Sequence, residues 1–240
     1  MFRFRLARRP LAVIVCLLAI APLSGQTPEE NFVRIRFNCL AWEPVEPGIR
    51  YASYDEASEP LRLSSEFRSP EYRYEGPPRL TFFREKTGPE GKRLRVPVAS
   101  TEIDPDLRRA LFLFFPLTTE DGSERYRILT IDDSRAAFPP GSYRVFNLTD
   151  HPIAGMFGEA RLRLEPRDNQ LVRPDHESDT NLNIQLAVQN GGEWQRKVST
   201  RWYYRDTARH LVFLARDGER LAIRSIPQYQ IPEAENTPDE

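Results

Sequence analysis

Apolar residues recur with a period of two along most of this chain, and that alternation is the signature of β-strands. Leu182, Ile184, Leu186 and Val188 alternate with Asn183, Gln185 and Ala187. Trp194, Val198, Thr200, Trp202 and Tyr204 then alternate with Gln195, Lys197, Ser199, Arg201 and Tyr203. Between the two runs, Asn190-Gly191-Gly192 tolerates positive φ and closes a hairpin. A second hairpin is expected from Leu211–Ala215 and Leu221–Ile226 around Asp217-Gly218. Residues 182–226 thus predict four successive antiparallel strands. The 21 prolines spread through the chain disfavour long helices.

Further strands are predicted at 32–40, 49–54, 80–85, 94–99, 110–115, 126–132, 143–149 and 159–164. Ala110–Phe115 is a continuous apolar run, which predicts a strand buried on both faces. Asp104 and Asp133 or Ser134 are placed to cap short turns. The expected fold is therefore all-β: antiparallel β-sandwich modules, two of them, with few short helices. Gly88-Pro89-Glu90-Gly91-Lys92 is polar and free of large apolar groups, so it reads as the linker. That places a smaller module at 30–87, a larger one at 93–226, and an acidic tail at 227–240 expected to be disordered. A Pro/Gly turn before an apolar strand at both Leu80 and Tyr143 hints at an internal repeat.

Residues 1–25 have the layout of a secretory signal peptide. Arg3, Arg5, Arg8 and Arg9 precede an uncharged run from Leu11 to Ala21, with small residues at Ser24 and Gly25. The run is shorter than the roughly 20 apolar residues needed to cross a bilayer. Gln26 follows Gly25, where a lipoprotein would carry cysteine. These features predict an exported chain, periplasmic or extracellular, with no membrane attachment after cleavage; a retained anchor is the alternative. Removing the four arginines leaves 30 of the 34 Lys and Arg against 35 Asp and Glu. That mildly acidic balance argues against nucleic acid as a partner. Only Cys39 remains after cleavage, so no internal disulfide forms. Cys39 shares a strand face with Val33, Ile35 and Phe37 and reads as a buried structural thiol.

Hydrolase elbows, zincin helices, paired cysteine ligands and phosphate loops are absent from the sequence. His151, His176 and His210 are too widely spaced to preassemble a metal site. Asp175, Glu177 and Asp179 put three oxygen donors on one loop, a set that Ca²⁺ accepts; no other cofactor is suggested. Asp132 and Asp133 point to opposite sides of a strand end, which favours turn or capping roles. Among the aromatics, Trp194, Trp202 and Tyr204 read as core. Tyr203, on the other face with Arg201, is the surface candidate for ligand binding.

Phe138-Pro139-Pro140-Gly141-Ser142-Tyr143-Arg144-Val145 resembles the Pro-Gly turn and Tyr-initiated strand of exported immunoglobulin-like and prealbumin-like modules, with Ala160–Leu164 as the following strand. The whole chain is similar to uncharacterised exported bacterial β-sandwich proteins. The resemblance implies a binding, spacer or assembly role in the cell envelope. The leading expectation is a non-catalytic envelope protein that binds or assembles with another protein. The alternatives are a carbohydrate-binding module using surface aromatics and a hydrolase without a recognisable motif.

Overall fold

The computed structural model describes residues 32–54 and 58–229. Residues 1–25, expected to be a signal peptide, lie outside the described residues, as do residues 230–240 of the acidic tail. No helix among the described residues is long and apolar enough to cross a membrane.

Among the described residues, sixteen strands form four four-stranded sheets. The first eight are β1 (Val33–Ala41), β2 (Ile49–Ala52), β3 (Ser58–Pro60), β4 (Tyr72–Gly76), β5 (Arg79–Thr87), β6 (Arg93–Glu102), β7 (Arg109–Pro116) and β8 (Tyr126–Asp132). They make two sheets, ordered β4-β1-β7-β8 and β3-β2-β5-β6. The second eight are β9 (Tyr143–Asn147), β10 (Ile153–Phe157), β11 (Ala160–Leu164), β12 (Asn169–Val172), β13 (Thr180–Asn190), β14 (Glu193–Tyr204), β15 (Arg209–Asp217) and β16 (Arg220–Gln228). Their sheets are ordered β12-β9-β15-β16 and β11-β10-β13-β14.

Adding eight to each strand number of the first module reproduces the second. The correspondence extends to strand direction: β1 runs parallel to β7, and β9 runs parallel to β15, whereas all other pairs are antiparallel. In those parallel pairs Phe37 lies opposite Ala110 and Tyr143 opposite His210, so Phe37 and Tyr143 hold equivalent places. Each sits at the centre of its sandwich. Phe37 contacts the rings of Tyr51, Tyr72, Phe82 and Phe112, and Tyr143 those of Phe157, Trp202, Tyr204 and His210. The chain is a tandem repeat, in which Tyr143 matches Phe37 instead of Leu80.

Residues 88–92 are the turn of the β5–β6 hairpin, whose strands pair from Arg79↔Glu102 to Thr87↔Arg93. The break between the sandwiches falls instead at residues 133–142, around Pro139-Pro140-Gly141. A polar Gly-Pro segment looks the same in sequence whether it turns a hairpin or joins two domains; only the pairing of the flanking strands separates the two.

Alternating residues of β1 and β7 serve two cores. Phe37, Cys39, Ala110, Phe112 and Phe114 fill the first sandwich. Leu40, Leu111 and Leu113 point the other way and meet Phe146, Leu211 and Phe213 of the second. Both-sided burial of 110–115 therefore has its cause in the neighbouring module. These six residues occupy corresponding positions in the two repeats, so the modules meet through like surfaces, as subunits do in an isologous dimer.

A buried ionic cluster locks this junction. Asp133 Oδ2 accepts from Arg68 Nη1 at 2.7 Å and lies 3.0 Å from Arg209 Nη2. Arg209 is fully buried; its Nη1 donates to Phe138 O at 2.6 Å and its Nε to Gln228 Oε1 at 2.8 Å. Burial lowers the Arg209 pKa to about 10 despite the adjacent carboxylate. Asp132 has the turn role expected of it, its Oδ1 accepting from Ser134 N at 2.9 Å. Asp133 instead clasps one arginine from each module.

Candidate binding face

The outer face of the β11-β10-β13-β14 sheet gathers the sequence-derived ligand candidates. Leu182, Ile184 and Leu186 of β13 point into the sandwich, so Asn181, Asn183 and Gln185 point out. Register then places Tyr203 opposite Asn181, Arg201 opposite Asn183 and Ser199 opposite Gln185 on β14. On the other side, Met156 lies beside Gln185 and Arg161, while Ala154 lies beside Ala187 and Arg163.

A β-bulge changes the lower half of β14. Leu186 pairs with Val198 but Ala187 pairs with Arg196, leaving Lys197 unpaired. One extra residue reverses the parity of everything before it, so Trp194 and Arg196 turn outward. Trp194, expected in the core from simple alternation, is 40% exposed, and Arg163 lies 5.7 Å from its ring centre. Trp202 and Tyr204, beyond the bulge, keep their inward places. The β5–β6 hairpin carries a bulge in the corresponding strand, skipping Val98.

The face thus presents Arg161, Arg163, Arg196 and Arg201 among amides, with Met156, Trp194 and Tyr203 exposed. No Asp or Glu stands at its outward strand positions. Arg163 pairs with Glu165 at the rim, at 3.6 Å. Among the described residues, no carboxylate lies within ion-pair distance of Arg161, Arg196 or Arg201.

Asp175, Glu177 and Asp179 are not brought together. Asp179 alone reaches the face: Tyr203 donates its hydroxyl to Asp179 Oδ1 at 3.2 Å, and Arg205 Nε lies 3.5 Å from the same oxygen. Asp175 and Glu177 are exposed on the loop before β13. Among the described residues, no three His, Cys, Asp or Glu side chains are placed to hold a metal ion.

The histidines are apart as well. His176 is within 3.0 Å of Thr180 Oγ1, His151 contacts Arg216, and His210 stacks on Tyr143 with Ser225 Oγ 3.3 Å from its Nδ1. Burial lowers the His210 pKa to about 4, which makes it a weak base towards Ser225 at neutral pH. Cys39 is fully buried, and burial raises its thiol pKa.

No protein-family model and no curated protein matches this chain. Its functional reading rests on its own surfaces.

Proposed function

We propose that this chain is an exported, non-catalytic cell-envelope protein that binds an acidic protein partner through the outer face of the β11-β10-β13-β14 sheet. One observation carries the reading, the composition of that face. Buried protein interfaces favour Arg, Trp, Tyr and Met and avoid Lys, Asp and Glu. The face has four Arg, one each of Met, Trp and Tyr, and none of the disfavoured three at its outward strand positions. Unpaired guanidinium groups call for carboxylates on the partner, since Arg binds them through a planar, two-pronged contact.

Export rests on the layout of residues 1–25. The spacer-like character implied by the immunoglobulin-like and prealbumin-like resemblance is supported by two eight-stranded sandwiches in tandem. Glycan binding through Tyr203 is the weaker reading, because guanidinium groups already lie near both exposed rings: Arg205 is 5.5 Å from the Tyr203 centre and Arg163 covers Trp194.

Affinity capture from an envelope fraction, using the wild-type chain and an Arg161→Glu/Arg201→Glu variant, tests this. Both residues are exposed, so the fold is expected to survive. A specific acidic protein should be retained by the wild type and lost by the variant, by about two orders of magnitude in affinity. Equal retention by both proteins contradicts the proposal, as does retention of polysaccharide in place of protein.

A further inference from the structure

A separate cleft of about 230 Å³ opens at the end of the second module, between the β13–β14 and β15–β16 hairpins and the loop at residues 149–151. It is smaller than the roughly 300–1,000 Å³ clefts that enclose drug-sized ligands, so its occupant must be small. Lys197, Arg216 and Arg220 line it, against the single carboxylate of Glu219. Among the described residues none of the three cations has an ion-pair partner. Val188 and Leu221, the latter the cross-strand neighbour of Arg216, add apolar surface to the lining.

The cations are placed by specific features of the fold. Lys197 is the extra residue of the β14 bulge, and bulges commonly re-aim one side chain next to a site. Arg216 Nη1 lies 3.0 Å from His151 Nε2. A guanidinium only donates, so His151 accepts through Nε2 and carries its proton on Nδ1. Fully buried Asn147 holds the His151 loop: its Nδ2 donates to His151 O at 2.8 Å, and its Oδ1 accepts from Thr149 N at 3.0 Å and from Thr149 Oγ1 at 2.8 Å. Arg216 is therefore steadied against a loop that is itself fixed, the kind of support that preorganises a binding site.

We infer that this cleft binds one oxyanion carried on a ring of monosaccharide size, a sugar acid or sugar phosphate. The two guanidinium groups and the ammonium take the anion, and Val188 and Leu221 take the apolar edge of the ring. Carboxylate and phosphate share the chemistry that Arg forks recognise.

Calorimetric titration of the full chain with glucuronate, glucose 6-phosphate, glucose and inorganic phosphate tests the assignment. At least one sugar oxyanion should bind with Kd on the order of 1 mM, and the tighter of the two names the group. Glucose should not bind, and inorganic phosphate should bind at least about tenfold more weakly than the preferred sugar oxyanion. A Lys197→Ala/Arg220→Ala variant, altered only at exposed positions, should keep its melting temperature and lose about tenfold or more in affinity. Failure of both sugar oxyanions to bind overturns the proposal. So does glucose or inorganic phosphate binding as tightly as the sugar oxyanion, or a double variant that binds like the wild type.

Discussion

Asp133 and Asp132 are neighbours with unlike consequences. Asp132 caps a turn at the surface, whereas Asp133 is the buried counter-charge for Arg68 and Arg209. Removing one partner of a buried ion pair leaves an uncompensated charge, which costs about 3–5 kcal/mol. Asp133→Ala should therefore lower the unfolding free energy by that amount, while Asp132→Ala should cost about 1 kcal/mol or less. Urea denaturation of the two variants makes the comparison, and equal losses would remove Asp133 from its bridging role. His210 supplies a pH dependence at the same scale. Folded, it stays neutral down to about pH 4; unfolded, it takes a proton below about pH 6.5. Between those values the unfolded state binds more protons, so the His210 contribution is present above about pH 6.5 and is lost as the pH falls towards 4. His210→Gln should shrink the drop in urea midpoint between pH 7 and pH 4.5. An unchanged drop would place the titration elsewhere.

Periodicity and apolar runs mark β1, β7, β8 and β11 closely, because β1 and β11 alternate and β7 and β8 are rich in apolar residues. They do not reveal β3, β4, β10 and β12, which are five residues or fewer and carry glycine, proline or polar residues that mask the pattern. The bulge at Lys197 is where the alternation misleads. Nothing in Gln195-Arg196-Lys197 announces an extra residue, yet it moves Trp194 from the core to the outer face. A signal for the repeat did exist: Asp106-x-x-Arg109-x-Leu111 recurs as Asp206-x-x-Arg209-x-Leu211, at the start of the equivalent strands β7 and β15. Arg209 also shares strand parity with Leu211 and Phe213, an indication that it is buried. Alternation alone suffices to place Tyr203 and Arg201 on the outer face, since no bulge separates them from Tyr204. The turn preceding β14 gives a test of its own. Gly191 and Gly192 have φ of 58° and 90°, and a Cβ at either would meet nothing within 4 Å. Alanine at both is penalised by backbone conformation alone, about 1 kcal/mol per residue. Thermal melts of Gly191→Ala/Gly192→Ala should show that loss with the spectrum of the fold intact; no loss would mean the turn has another shape.

At the scale of the molecule, the two sandwiches use their β1/β7 and β9/β15 sheets to meet each other. Their remaining sheets, β3-β2-β5-β6 and β11-β10-β13-β14, face outward. The repeats have diverged on these outer faces. In the first module Glu85 lies near both Arg50 and Arg93, whereas Arg161, Arg196 and Arg201 on the outer sheet of the second have no such partner among the described residues. Divergence of charge pairing on one copy, with the inter-module contacts kept at corresponding positions, supports the proposed docking face. Photo-cross-linking in the intact envelope tests that assignment most directly, with a photoreactive residue placed at Arg201, at Gln185 or, as a control on the opposite module, at Glu90. Arg201 and Gln185 should both give an adduct with the same acidic protein, and Glu90 should give none. Absence of a protein adduct from both face positions, or equal adducts from Glu90, would contradict the docking face.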